Sequence, residues 1–319
     1  MIHLKENAMR DKASKALTSC FVLNAIPPFR LDLTVWVLRR RKGNIIDQWD
    51  GQYYTRLFVI KGKPIKVTVE QTNPQIPQIK VSTHRAITIE THNYLALQLE
   101  KMLGLNCNLQ PFYRMADQDK HLKSLSKQFA GLKPPRFPTL FETLANAIAC
   151  QQVSLNLSIE LLNRLCRNVG ASLTEKGIIT YAFPLEKQLT NCNPMDLKKL
   201  GFSLHKSEAL IQLAATLLAN KALFDVLDNR PNTQIVEMLC DLKGIGRWSA
   251  EYALLRGLGR VDIFPGDDVG AQKNLQQVLQ LNQKLDYQTV AKLTDKWYPY
   301  AGLIYFHLLL HKLAEKGLL

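Results

Sequence analysis

Over the first hundred or so residues the apolar positions tend to recur every second residue. Leu31, Leu33, Val35 and Val37 alternate within Arg30 to Arg41, a period that suits a half-buried strand. Tyr53 to Ile60 and Pro64 to Val69 flank Lys61-Gly62-Lys63 and predict a hairpin. Short strands are also predicted at Gln78 to Val81 and Ala86 to Glu90. Tyr94, Leu95, Leu97, Leu99, Met102 and Leu103 then mark a helix ending near Gly104. Together these elements predict an α+β domain on an antiparallel sheet over residues 1–115.

A proline-rich connector, Lys133-Pro134-Pro135-Arg136-Phe137-Pro138, precedes a change of period. Thr139 with Glu142 three residues on fits a capping box. Phe141, Leu144, Ala145, Ile148 and Ala149 then follow the spacing of an amphipathic helix. Further helices are predicted at Leu155–Arg167, Met195–Leu200, Lys206–Ala219, Thr233–Leu242, Trp248–Leu255 and Tyr300–Leu313. The region 116–319 is therefore expected to be all-α, with room for two helical subdomains and a cleft between them. No internal repeat interrupts it.

Charge narrows the partners. The 319 residues carry a formal net charge of +14, which favours an anionic partner through long-range attraction and counterion release. Nucleic acid fits better than a membrane, because basic and apolar residues are not gathered on one amphipathic helix, and the most apolar run, Tyr300 to Leu310, is too short to span a bilayer. None of the six cysteines lies within three residues of another. That excludes a CxxC metal or redox motif and points to a reducing, intracellular compartment. No N-terminal signal-peptide pattern is present.

The candidate chemistry lies between Leu239 and Leu275. A helix with Ile235, Leu239 and Leu242 on one face meets Lys243-Gly244-Ile245-Gly246-Arg247, and a second helix follows at once. Gly244 and Gly246 allow a tight turn and let backbone amides approach a ligand. Such amides at a helix start make a phosphate seat, with Lys243 and Arg247 adding charge. A tight turn alone is the simpler reading of two glycines. Downstream runs Phe264-Pro265-Gly266-Asp267-Asp268-Val269-Gly270. A carboxylate there is kept ionised by a helix dipole and nearby amides, although either aspartate can also serve only as a cap.

These two stretches, Leu242 to Ala250 and Phe264 to Gly270, resemble the helix-hairpin-helix (HhH-GPD) DNA glycosylase superfamily, and within it the 3-methyladenine DNA glycosylase II type. Three further segments agree in order: Ala147-Ile148-Ala149-Cys150-Gln151-Gln152-Val153-Ser154, Leu200-Gly201-Phe202 with Lys206-Ser207-Glu208-Ala209-Leu210, and Trp297-Tyr298-Pro299-Tyr300. The resemblance covers most of the chain. It implies an α+β antiparallel-sheet domain followed by a mainly α-helical glycosylase domain.

The resemblance also implies roles. Asp268 matches the catalytic carboxylate, which would stabilise positive charge on the sugar as an N-glycosidic bond breaks; Asp267 would orient or cap. Trp248 stands where some relatives carry a Schiff-base lysine, implying a monofunctional hydrolase that leaves an abasic site. Trp248 and Tyr252, four apart on one helix face, would line the pocket for an extruded alkylated purine, with ordinary interhelix packing as the bland alternative. Gln152 would fill the gap left in the duplex, and Lys206 would contact phosphate or simply sit in solvent. Lys243 replaces a usual proline, Ala301 a frequent arginine and Leu309 a pocket tryptophan of some relatives; the iron–sulfur cysteines of other branches are absent.

The expected function is base excision repair of damaged double-stranded DNA by a monomer located with the DNA, in cytoplasm and nucleoid or in a nucleus. No metal or organic cofactor is required, though resembling hairpins hold a monovalent cation through backbone carbonyls. The competing readings are a bifunctional oxidised-purine glycosylase/lyase and a non-catalytic helix-hairpin-helix DNA-binding protein.

Overall fold

A computed structural model describes residues 17–319. Strand β1 (Leu17–Asn24) is followed by α1 (Leu31–Arg39), β2 (Gln48–Trp49), β3 (Tyr53–Ile60), β4 (Lys63–Glu70), β5 (Gln78–Thr88) and α2 (Ile89–Met102). The five strands form one antiparallel sheet in the order β1-β5-β4-β3-β2. The predicted hairpin is β3–β4, closed by Lys61 and Gly62 with φ of 49° and 75°, the left-handed pair of a type I′ turn. The two short strands expected after it are one continuous β5, and Ile89 and Glu90 form the start of a helix instead.

Residues Leu31 to Val37 are a helix, not the strand their alternation predicts. The reason lies in what surrounds α1. Leu31, Val35 and Leu38 enter the core beneath the sheet, while Leu33, Trp36 and Val37 enter the core of the C-terminal helices. Each set follows helical spacing. Because the two stripes lie on opposite sides of one buried helix, their superposition imitates a period of two.

The second region holds α3 (Gln110–Gln118), α4 (Leu122–Gln128), α5 (Leu140–Cys150), α6 (Leu155–Val169), β6 (Ser172–Glu175), β7 (Ile178–Tyr181), α7 (Glu186–Leu189), α8 (Pro194–Lys199), α9 (Leu204–Ala219), α10 (Lys221–Asp225), α11 (Asn232–Cys240), α12 (Arg247–Ala253), α13 (Val269–Val278), α14 (Tyr287–Asp295) and α15 (Ala301–Glu315). A π turn, Leu254–Leu258, extends α12. The region is mainly helical but not all-α. The β6–β7 hairpin breaks it and joins the large sheet through a parallel bridge between Leu57 and Ala182.

Two helical cores result. One gathers α5 to α9 with α11 and α12; the other gathers α13 to α15 with α3, α4 and one side of α1. The chain between residues 254 and 268 runs from the first to the second, and Arg256, Asp267 and Asp268 on that stretch line a cleft between them.

Sheet and helices are joined by a buried charge cluster. On β3 the core-facing positions are Tyr54, Arg56, Phe58 and Ile60, so a guanidinium occupies an apolar layer. Arg56 meets Asp47 at 2.6 Å and Glu142 at 2.5 Å, and Tyr54 donates to Asp47 at 2.8 Å. The predicted capping box is therefore half made: Thr139 accepts from the Glu142 amide at 3.0 Å, while the Glu142 carboxylate turns to Arg56. Removing one partner from a buried ion cluster strands the other's charge, so Glu142→Ala is expected to lower the unfolding free energy by about 3 kcal/mol or more. Urea denaturation measures this, and a loss well under 1 kcal/mol contradicts it.

Candidate active site

The cleft between the two helical cores is a cavity of about 870 Å³. Its wall is built from the helix-hairpin-helix. In the turn between α11 and α12, Gly244 has φ +79°, and a Cβ there would lie 2.8 Å from that of Ala209, so only glycine fits. Gly246 has an extended φ of −106° and needs no glycine for its backbone. A Cβ on it would meet nothing within 4 Å, so its contribution is an open approach to the first amides of α12.

Asp268 is the N-cap of α13 and stands in this cleft. Its Oδ1 accepts from the Ala271 amide at 2.8 Å. Its Oδ2 accepts from Tyr305 Oη at 3.0 Å and from Trp248 Nε1 at 3.3 Å. Capping and placement in the cleft, alternatives in the sequence, are thus properties of the same residue. Burial and the neighbouring Asp268 charge push the Tyr305 phenol well above its ordinary value, which keeps it a donor. Tyr305 was not legible as a site residue because it lies in an apolar run of α15.

The loop that carries Asp268 is braced from α12. Glu251, buried beneath it, accepts from the Gly266 amide at 3.1 Å and from Tyr287 Oη at 2.7 Å. Burial raises the Glu251 pKa, and burial together with the Glu251 bond pushes Tyr287 up to about 12. Asp267 points away from Asp268 to an ion pair with Arg247 at 2.7 Å, and the Arg247 guanidinium lies 3.6 Å over the Tyr287 ring.

Trp248 and Tyr252 share one face of α12 with ring centroids 5.5 Å apart, and both line the cleft, as does Leu309. Ala301 is buried in the C-terminal core. Tyr252 belongs to the core beneath the sheet as well, so packing and pocket roles coincide in it. Two further lining residues were missed: Arg40, one residue past α1, and Arg256 on the π turn. No periodicity or motif marks either, since both reach the cleft from elements whose local patterns are apolar.

Lys206 corrects the sequence reading. It is neither solvated nor placed to reach a phosphate, being only 9% exposed. Its Nζ donates to Ala149 O at 3.0 Å and Gln151 O at 2.7 Å, because the C-terminus of α5 presents unpaired carbonyls that a cation satisfies well. The same turn is tied to the hairpin by Gln151 Nε2, which donates to Gly244 O at 2.8 Å and Ser249 Oγ at 3.1 Å. Gln152 follows at φ 55°, exposed at the cleft edge. Lys243 lies on the hairpin surface in an ion pair with Glu208 at 2.8 Å, so the hairpin's two basic side chains both have carboxylate partners. Lys273, Lys312 and Lys316 add charge to the cleft lining.

Among the described residues no cluster of His, Cys, Asp and Glu could hold a metal, no helix is long and apolar enough to cross a membrane, and none of the six cysteines is in a disulfide.

Residues 145–300 match the HhH-GPD superfamily of base excision DNA repair proteins. The chain is 24% identical over 282 residues to the DNA-3-methyladenine glycosylase of Bacillus subtilis, covering 88% of this chain and 93% of that one. It is 26% identical over 295 residues to DNA-3-methyladenine glycosylase 2 of Escherichia coli, covering 90% and 96%. The fold is that of the 3-methyladenine DNA glycosylase from Archaeoglobus fulgidus, with a TM-score of 0.80, 21% identity and coverage of 91% and 97%. The hairpin and Asp268 both fall within residues 145–300, the part of the chain that matches the HhH-GPD superfamily of base excision DNA repair proteins.

Proposed function

We propose that the protein is a monofunctional DNA glycosylase of base excision repair, which extrudes an alkylated purine of the 3-methyladenine type from duplex DNA and hydrolyses its N-glycosidic bond. The observation that carries this reading is Asp268, an immobilised carboxylate at the mouth of a cavity walled by two aromatic rings. The relatives named for 3-methyladenine glycosylase activity support it, and a basic chain with lysines around the cleft suits the phosphate backbone.

The chemistry follows from position. Departure of the base leaves positive charge on the deoxyribose, and a fixed carboxylate stabilises that charge without reorganising. Asp268 holds its place through the three donors described above, and a water on the sugar's open face completes hydrolysis. Trp248 and Tyr252 supply stacking for the extruded base. Gln152, held forward by the Lys206 and Gln151 contacts, enters the duplex in the base's place. The amides at Gly246 and the start of α12 receive a backbone phosphate. Arg247 and Lys243 reach that phosphate only by releasing Asp267 and Glu208, so their part in binding is secondary to the amides.

No cofactor enters these steps. A monovalent cation at the hairpin would draw on backbone carbonyls. Gly244 O and Leu242 O each keep a lone pair after accepting from Gln151 and the Ile245 amide, so that donor set fits such an ion. The protein acts as a monomer with the DNA, wherever the cell keeps it.

Asp268→Asn is expected to slow release of 3-methyladenine from methylated DNA by about 10²- to 10³-fold while duplex binding in a mobility-shift assay persists. Equal release by the variant and the wild type removes the proposal. Borohydride treatment during turnover is expected to trap no covalent protein–DNA adduct, since position 248 carries no amine; a trapped adduct favours the lyase reading. Gln152→Ala is expected to lower kcat/KM by about ten-fold, part of the few kcal/mol that extrusion costs, with less effect on DNA that already contains an abasic site.

A further inference from the structure

A second cavity, of about 440 Å³, adjoins the cleft, with which it shares Arg40, Arg41 and Lys316 in its lining. One wall is the turn that follows α1, residues 41–44, closed by the Asn44 amide on Arg41 O at 3.2 Å. The carbonyls here are all occupied. Arg40 O accepts from Arg41 Nη1 at 2.8 Å, Arg41 O also from Arg39 Nε at 3.2 Å, Lys42 O from Arg39 Nη2 at 2.5 Å and Gly43 O from Asn163 Nδ2 at 2.7 Å. The amides of Lys42 and Gly43, by contrast, donate to no described residue. Both residues are exposed, and a Cβ on Gly43 would meet nothing within 4 Å. The turn therefore offers donors and withholds acceptors, the polarity that backbone amides give to an anion seat. It is also held in place, because the buried Asn163 of α6 accepts from the Ile45 amide at 3.2 Å as well.

Charge has the same sign. Arg39, Arg40, Arg41 and Lys42 are consecutive, and neither they nor Lys316 form an ion pair among the described residues. Glu160, the carboxylate in the cavity lining, is engaged by Arg164 at 3.1 Å and Arg167 at 4.0 Å. Arg40 donates to neutral groups, Tyr252 Oη at 3.3 Å and Asn146 Oδ1, so its charge is not cancelled. Arg41 Nε donates to Asn156 Oδ1 at 2.7 Å, and its Nη2 has no partner among the described residues. Burial and the neighbouring Arg40 charge lower the Arg41 pKa. The basic residues of the hairpin differ, since Lys243 and Arg247 each have a carboxylate. Like charges gathered without a counterion are stabilised by an anion that joins them.

Asn156, which holds Arg41, lies in the first turn of α6, four residues after Gln152. The site thus flanks the edge of the cleft, and a DNA strand passing that edge brings a phosphate with every nucleotide.

We propose that residues 41–43, together with Lys316, form a second backbone-phosphate site, through which the sheet domain grips the duplex beside the cleft. This rests on the reading of the cleft as a DNA-binding one. The ligand is a phosphodiester oxygen pair, and its donors are the Lys42 and Gly43 amides, Arg41 Nη2 and the two lysine side chains.

The test measures binding of undamaged duplex by fluorescence anisotropy over a range of salt concentrations. Three proteins are compared: the wild type, Lys42→Ala/Lys316→Ala, and Lys61→Ala/Lys63→Ala. The last removes the same charge from the β3–β4 turn, which lines neither cavity, and all four lysines are exposed. Loss of a phosphate contact is expected to lower the slope of log affinity against log salt by about 0.9 in Lys42→Ala/Lys316→Ala, with the slope of the other variant unmoved. Equal slopes in all three proteins overturn the proposal, as does an equal fall in both variants. Duplexes carrying one methylphosphonate at successive positions locate the contact. At one position neutralisation is expected to weaken the wild type and leave Lys42→Ala/Lys316→Ala unaffected; a scan without such a position overturns the proposal. Base release from methylated DNA is followed in parallel. A wild type that shows the slope difference and the scan position but releases no base keeps the phosphate site and refutes the glycosylase reading instead.

Discussion

The interaction on which the cleft depends is the set of three hydrogen bonds that holds the Asp268 carboxylate still. One oxygen closes the first turn of α13, where the helix dipole favours negative charge. The other takes donors from α12 and α15. Three helices must therefore be in register before the side chain has its full set of partners. The loop leading into α13 is fixed independently, because Glu251 holds the Gly266 amide from below. Preorganisation of this kind places the energetic cost in folding and not in the reaction.

The arginines show where the fold meets that cost and where it does not. A buried charge is expensive unless it is paired. Arg56 is paired twice, and the pairing carries a mechanical benefit, because Asp47 and Glu142 come from the sheet domain and from α5. The helix that leads into Gln151 and Gln152 is thereby anchored to the sheet. At its other end Lys206 and Gln151 fasten the same helix to α9 and the hairpin. The residue expected to enter the duplex thus sits on a turn held from both sides, which explains how an exposed glutamine can keep a strained backbone.

Legibility in the sequence followed local determination. The β3–β4 turn, the Thr139 cap and the two-glycine hairpin were readable because each depends on a few adjacent residues. Asp268 stood out only through the resemblance, since the Pro-Gly-Asp-Asp run by itself left a mere cap open; the structure makes that residue both the cap of α13 and part of the cleft lining. Leu31 to Val37 was misread for a definite reason: a helix buried on two opposite sides has no polar face to reveal its period. Lys206 was misread because its partners are the carbonyls of a helix end 55 and 57 residues away, which no local pattern records. Tyr305, Arg256 and Arg40 were invisible for the same reason, being placed by packing between distant segments.

Arg40 also changes how the division into two regions is to be understood. The helix that delivers it, α1, belongs by sequence to the sheet domain, yet its Leu33, Trp36 and Val37 lie in the core of the C-terminal helices. The sheet domain is therefore a wall of the cavity as well as a neighbour of the helical region. In this arrangement Arg40 and Asp268, which line the same cavity, come from distant parts of the chain. Asp268 and its donors are fixed by α12, α13 and α15, while the residue after α1 joins the cavity wall from the sheet domain. No hydrogen bond runs directly between Arg40 and Asp268; the two are linked through the neighbouring rings of α12, Trp248 donating to the carboxylate and Tyr252 accepting from the guanidinium, so the sheet domain and the C-terminal helices meet at that aromatic pair.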